Sequence, residues 1–290
     1  MMHFGKVLSA LRGNLKRHLR IWLRLKPRPK APVLQQSLEN ILERHIRLCR
    51  LVMDLKPPGD VLKDGAVCEV GPGDCLATAA LFLGLGARRV DLVEIQPAVV
   101  NEKQIQVLET IRDTGLPIDM DVVTRKPRLD LNPDRIRYHM GFMENVQLPV
   151  HYDFIFSTFV LEHVEDLQAF FTACAQSLKP GGSMVHIIDL GGHNEFEDPV
   201  PPLDFQTYPD WLYSLMYPRF HRATRRFVSD YEQAVQSCGL HVVERRVLRH
   251  AHADYLKSIR DRLRPAARSL PTEELATIEF ALVLQQLGDK

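Results

Sequence analysis

The sequence predicts an α/β fold built on a doubly wound sheet, and three observations predict it. Apolar runs of strand length alternate with helical patterns from about residue 60 onward. The run Val67-Cys68-Glu69-Val70 meets the turn Gly71-Pro72-Gly73 and then the small-residue helix Ala77-Thr78-Ala79-Ala80. Strand, glycine turn and helix in that order form the ligand-binding turn of open α/β sheets. Asp153 to Phe159 is nearly continuous in apolar residues, as a parallel strand buried on both faces requires.

The elements follow in order. Phe4, Val7, Leu8, Leu11, Leu15, Leu19, Trp22 and Leu23 share one helical face, and Pro27 and Pro29 end that helix. Residues 1–30 hold nine Lys/Arg and no acid, which leaves 28 cations against 36 acids, a net of −8, on the rest of the chain. Such a basic amphipathic segment lies on an anionic membrane surface, serves as a mitochondrial transit segment, or packs on the protein or a partner; the sequence leaves all three open. Leu34 to Leu55 is a second helix, stopped by Pro57-Pro58-Gly59. The second strand ends at Glu94, and Ala98 to Thr114 is helical in pattern. Gly115 to Pro133, rich in Asp, Pro and Arg, reads as an exposed insertion, and a third strand lies near Arg135–Met140. After the strand at Asp153, a helix containing Phe170 and Phe171 leads to Lys179-Pro180-Gly181-Gly182 and a fifth strand from Ser183 to Leu190. Helix Asp230–Cys238, strand His241–Leu248, a helical connector through Asp254–Leu263 and a last strand Ala276–Leu284 complete the chain.

Composition sets bounds. At 290 residues, 45% hydrophobic and 25% charged, the chain holds one large α/β domain with an extension. Its five cysteines are odd in number and form no CxxC pair, so neither a disulfide scaffold nor a zinc site is expected, and a reducing cytoplasm fits. No run reaches the length of a transmembrane helix.

Two ligand classes compete for the glycine turn. A dinucleotide turn wants a third glycine and places a pyrophosphate on the helix N-terminus, but Cys75 or Leu76 stands at that position. Glu69 would also repel a pyrophosphate. S-adenosylmethionine (SAM) carries no phosphate, and its sulfonium and amino groups are positive, which an acid at a strand end suits. Glu94 lies about twenty residues past the glycines, the separation of a carboxylate that accepts from a ribose diol.

Glu69-Val70-Gly71-Pro72-Gly73 with Glu94 resembles the cofactor site of class I SAM-dependent methyltransferases. Asp153 through Val164 is similar to that family's fourth strand and its exit, and Leu178-Lys179-Pro180-Gly181-Gly182 to the turn entering the fifth. The resemblance spans roughly residues 60 to 285. It implies a Rossmann-like seven-stranded sheet, mostly parallel with an antiparallel final strand, carrying SAM as cofactor. Residues 1–58 would then be a basic N-terminal helical extension, 59–290 the methyltransferase domain, and about 191–227 a lid insertion.

The resemblance also implies site residues. Glu69, Gly71, Pro72, Gly73, Glu94, Ile95, Ser157 and Thr158 would bind the cofactor. Phe142 stands where the family often has an acid for the adenine amino group, so Phe142 or Met143 stacks on adenine or packs in the core, or Glu144 reaches back to supply the acid. Helix Leu34–Leu55 either covers the pocket or packs on the domain. Phe205, Tyr208, Trp211, Tyr213, Met216, Tyr217 and Phe220 make either an acceptor lid or a satellite core. Methyl transfer needs alignment above all, and a hydroxyl acceptor gains from a base. His163, past the fourth strand, is the first candidate, His193 the second and His221 the third; a hydrogen-bonded structural histidine is the alternative for His163. Motifs for base-amine, cytosine-C5 and protein-arginine methylation are absent, so nucleic acid is not the expected acceptor. O-methylation of a bulky small molecule, lipid or glycan is expected, without a metal. An NAD-type oxidoreductase and a catalytically silent adaptor of the same fold are the alternatives. The protein is expected to be cytoplasmic, with peripheral membrane contact through residues 1–30 as one of the open readings of that segment; oligomeric state is not encoded in these patterns.

Overall fold

The computed structural model describes residues 34–55, 62–124, 128–192, 201–216 and 223–286. The basic segment 1–30, His193 and His221 lie outside the described residues. Helix α1 (Leu38–Leu55) precedes β1 (Ala66–Val70), α2 (Ala77–Gly84), β2 (Arg89–Glu94) and α3 (Glu102–Asp113). A two-residue hairpin, β3 (Val123–Thr124) and β4 (Asp130–Leu131), leads to β5 (Ile136–Met140) and β6 (Tyr152–Thr158). Then come α4 (Leu167–Ser177), β7 (Leu178–Asp189), α5 (Asp210–Met216), α6 (Val228–Ser237) and β8 (Leu240–His250). Three short helices, α7 (Ala253–Ile259), α8 (Pro265–Arg268) and α9 (Thr272–Ala276), precede β9 (Thr277–Gln286).

The main sheet runs β5-β2-β1-β6-β7-β9-β8. All its pairings are parallel except those of β9, which is antiparallel to both neighbours. This is the Rossmann-like, seven-stranded, mostly parallel sheet expected, with its final strand reversed. The strand order turns back between β1 and β6, the place where a ligand crevice lies in open α/β sheets, outside the strand ends.

Side chains alternate across the sheet. Val67 of β1 with Phe154 and Phe156 of β6 face the α1–α3 layer, whereas Ala66, Cys68, Val70, Tyr152 and Ile155 face α4 and α6. Each large side chain buried this way contributes about 1.5–3 kcal/mol. Helix α2 is apolar all round because sheet, α1 and α3 enclose it. Asn101 caps α3 by accepting the Gln104 N–H at 3.0 Å, and Asp166 caps α4 by accepting that of Ala169 at 2.9 Å.

Two regions depart from the sequence reading. The stretch 115–133 is not simply exposed: Leu116, Ile118, Val122 and Val123 are buried in the core of the α1–α3 layer. Its backbone rests on α2, where Asp119 N–H donates to the Ala80 carbonyl at 3.0 Å. A Cβ on Gly84 would stand 1.8 Å from the Pro117 carbonyl oxygen, so only glycine permits that approach. Between β8 and β9 the connector is no single helix. Leu256, Ile259, Leu263 and Leu275 build a third core that also takes in Leu203 and Phe227 from the 201–227 region. Phe205 and Tyr213 are buried in one small separate cluster with Ala223, and Met216 in another with Leu212, while Trp211 is 69% exposed.

Candidate active site

The turn after β1 lies at this switch point. Gly71 and Gly73 adopt φ of +70° and +66°, which a side chain resists. Their surroundings differ. A Cβ on Gly71 would meet Val160 Cγ2 at 2.2 Å, so this glycine lets the β6 exit close on the turn. A Cβ on Gly73 would meet nothing within 4 Å. Between them Pro72 fixes its own φ and stiffens the turn. Gly71 N–H is held by the Val93 carbonyl at 2.8 Å.

Glu69 points from β1 toward the α1–α3 layer and is 3% exposed. The Thr78 hydroxyl, at the start of α2, donates to its Oε1. Oε2 is buried without a hydrogen-bond partner. Burial pushes this carboxyl up to about 7, the Thr78 bond opposing and the Glu94 charge adding to the rise. Thr158, at the end of β6, lies on the same sheet face as Phe154 and Phe156 by alternation, and its buried Oγ1 also has no partner. Ser157 turns the other way; its Oγ and His186 Nδ1 are 2.8 Å apart among Phe170 and Phe171. Burial lowers His186 to about 3, so this histidine, absent from the sequence reading, is a neutral core residue.

Glu94 stands at the tip of β2. Its Oε2 accepts from Gly73 N–H at 3.1 Å, and its Oε1 from Ile95 and Gln96 N–H at 2.7 and 3.2 Å. One carboxylate thus ties the two strand-end turns together. Ile95 and Phe142 are exposed beside it, Phe142 by 42%, where Gly141 N–H is bonded to the Glu94 carbonyl at 2.9 Å. Met143 turns inward and packs in the core with Val93 and Tyr152.

The β6 exit is strained. Phe159 has φ of +55° with a full side chain, a conformation that surroundings must enforce. Its N–H donates to the Ile187 carbonyl at 2.8 Å, and the Arg44 guanidinium of α1 lies 5.5 Å from its ring centre. Arg44 and Phe159, with Leu48, Leu51, Ile187 and Glu279, line a cavity of about 330 Å³ between α1 and the strand ends. Helix α1 therefore packs by its Ile41, Cys49 and Val52 face and sets Arg44 in the lining of this cavity. Leu161 to His163 form one 3-10 turn, with His163 half-buried at its end. Glu162 is buried, and desolvation drives its carboxyl well above the carboxylate range, with Asp189 and Glu279 reinforcing the shift. Thr224 N–H bonds the Glu162 carbonyl at 2.8 Å and fastens the 201–227 region to this exit.

Thr78, Val160 and Arg44 are the contributors that sequence reading did not assign. Thr78 carries a weak signal, a hydroxyl in the first turn after the glycines. The other two depend on tertiary contacts alone. Among the described residues no group of three or more His, Cys, Asp or Glu side chains is arranged to hold a metal ion.

The residues present fit SAM by their own geometry. A buried carboxylate oxygen and a hydroxyl stand without partners on one sheet face, beside a glycine with open space over it and a second carboxylate at the next strand tip. Fold and site together define a class I SAM-dependent methyltransferase. A profile of the methyltransferase-domain family matches residues 42–245; the chain belongs to that family, and its cofactor is SAM. No curated protein matches the chain. Similar solved structures include a SAM-dependent methyltransferase from Mesorhizobium loti, with 15% identity, TM-score 0.46, and 86% of this chain and 100% of that one covered. The N-methyltransferase NodS from Bradyrhizobium japonicum, solved with S-adenosylhomocysteine, has 13% identity, TM-score 0.42 and coverage of 85% and 87%. The geranyl diphosphate C-methyltransferase of Streptomyces coelicolor has 14% identity, TM-score 0.46 and coverage of 83% and 76%.

Proposed function

We propose that the protein transfers a methyl group from SAM to an oxygen of a bulky small-molecule, lipid or glycan acceptor. When bound, SAM supplies a methyl group on a sulfonium whose leaving form is a neutral thioether. The protein then has to bind, align and keep water out. In this reading Glu69 Oε2 takes the cofactor's ammonium, and the backbone of Ser157 and Thr158 borders its methionine part. Gly71, Pro72 and Gly73 give the main chain close approach. Glu94 turns its oxygens from the turn N–H groups to the ribose diol, and Ile95 and Phe142 flank the adenine, with Met143 behind them. The unpartnered Glu69 oxygen is the observation that carries the reading, because a buried carboxylate is expected to have a partner. Calorimetric titration with S-adenosylhomocysteine tests it; no heat with wild-type protein would remove it.

His163 is the proposed base, placed at the β6 exit beside Glu162, and His193 is the second candidate. Replacing His163 with Gln should lower turnover from labelled SAM by about 100-fold or more while S-adenosylhomocysteine affinity stays within about twofold. Near-normal turnover would end the base role. Residues 191–227 are the proposed lid, and residues 1–30 the proposed contact with an anionic membrane. Among the described residues no helix is long and apolar enough to cross a membrane. A chain starting at Ala31 should therefore bind anionic vesicles less than the full chain does.

A further inference from the structure

A cavity of about 470 Å³ opens beside the β6 exit, bounded by Glu165, Asp210, Ser214, Arg225, Arg226 and Arg264. It is close to the transfer site: Thr224, which also lines it, bonds Glu162, and Arg226 donates to the Val164 and Glu165 carbonyls directly after His163.

Its three arginines play different parts. Arg225 is buried with φ of +61°; it donates to the Tyr208 carbonyl at 2.6 Å and to Asp210 at 3.0 Å, and lies 4.6 Å from the centre of the Tyr213 ring. It serves the fold of the 201–227 region. Arg226 uses two nitrogens on the carbonyls just named. Arg264 uses Nε on Gln206 Oε1 at 2.8 Å and Nη2 on the Arg225 carbonyl. A guanidinium has more N–H groups than these bonds consume, so both side chains are fixed in place with donors to spare. The carboxylates opposing them are Glu165 and Asp210, and Asp210 is engaged by Arg225 and faces solvent. Among the described lining residues, three guanidiniums stand against two carboxylates, a net positive charge. Fixed planar donor forks match phosphate and carboxylate oxygens better than they match neutral hydroxyls.

We infer that this cavity receives an anionic group of the acceptor, a phosphate, phosphonate or carboxylate, with Arg226 and Arg264 as its donors. The acceptor's reacting oxygen would then lie toward the β6 exit while its charge is held beside α5. This inference rests on the reading that the acceptor enters at that exit. It narrows the acceptor class to molecules with a negative handle.

Phenyl phosphate and neutral phenol serve as probes, titrated by calorimetry into the full chain saturated with S-adenosylhomocysteine. Phenyl phosphate should bind at least about tenfold more tightly than phenol, and Arg226→Gln and Arg264→Gln should each weaken it by about tenfold. Affinity for S-adenosylhomocysteine should stay within about twofold in both variants, which reports an intact donor site. Equal binding of the two probes by wild-type protein, or wild-type affinity for phenyl phosphate in both folded variants, overturns the inference. Should both variants lose their melting transition, the wild-type ratio of the two probes decides alone. Failure of wild-type protein to bind S-adenosylhomocysteine strikes the donor assignment instead, and the probe ratio measured without it still decides this one.

Discussion

The two ends of the sheet treat the same residue type in opposite ways. Nearer the amino ends, Asp91 accepts from the Tyr152 hydroxyl at 2.6 Å and Arg89 at 3.1 Å. Asp153 accepts the Ala66 N–H at 2.8 Å and the Lys179 ammonium at 2.7 Å. Both carboxylates are closed by the protein itself, and for the fully buried Asp91 burial demands it. At the carboxyl ends, Glu69 keeps an oxygen buried without a partner, Thr158 does the same with its hydroxyl, and Phe159 sits in a left-handed conformation. Departures of this kind cost stability and gather where a ligand supplies what the chain withholds. Under the proposed function, the carboxyl-end departures at Glu69 and Thr158 are the ones a bound cofactor would complete.

The sharpest way to break that contrast is Glu69→Gln. The amide can keep the Thr78 bond, but it removes the charge meant for an ammonium. S-adenosylhomocysteine affinity should drop about 10- to 100-fold by calorimetry, with no fall in melting temperature. A matching pH dependence follows in the wild type. The native state holds a proton on Glu69 up to about 7, whereas the unfolded chain releases it near 4.5. That contribution to stability is whole below about 4.5 and is lost as pH rises through about 7, so apo wild-type protein should lose stability relative to Glu69→Gln across this window. In the proposed role the carboxylate form binds the cofactor, so affinity should fall by up to about tenfold per unit as pH drops below 7, and Glu69→Gln should flatten the profile. A wild-type profile equally flat would uncouple Glu69 from the ligand.

The two glycines sharpen the contrast on a smaller scale. Gly71→Ala faces both its φ and Val160 at 2.2 Å, and should cost about 2–5 kcal/mol in denaturant unfolding. Gly73→Ala has open space and should cost only about 1–2 kcal/mol, the expense of the left-handed backbone. Adding Val160→Ala to Gly71→Ala should recover part of its loss and leave Gly73→Ala unchanged. Equal costs at the two positions would mean that the turn is no tighter on one side than on the other.

Much of this site was legible because backbone and burial wrote it into local pattern. The glycine pair, the acid before it, the acid ending β2 and the apolar β6 each announce themselves within a few residues. What stayed hidden depends on partners far apart in the chain. Nothing near Phe159 in sequence reveals that Arg44 lies against its ring. Phe142 and Met143 are adjacent and both apolar, and only the turn at Gly141 decides that one is exposed and the other packs on Val93 and Tyr152. The 115–133 stretch misled because its Asp, Pro and Arg residues mask the few apolar ones that anchor it on α2. In the 201–227 region one aromatic series divides between satellite cores and surface: Phe205 and Tyr213 go inside, Trp211 outside. Composition cannot separate those fates.

At the opposite end of the sheet the expected effects are smallest. Lys179 bridges both oxygens of Asp153, but its side chain is nearly half exposed, and such pairs contribute about 0–1 kcal/mol. In Lys179→Ala the Asp153 carboxylate still accepts the Ala66 N–H, so β1 and β6 should stay joined. Denaturant midpoints should move little, and S-adenosylhomocysteine affinity should stay within about twofold. A large loss of affinity from this variant would show that the amino-end pairs position the crevice, and the separation between a closed end and an open one would fail.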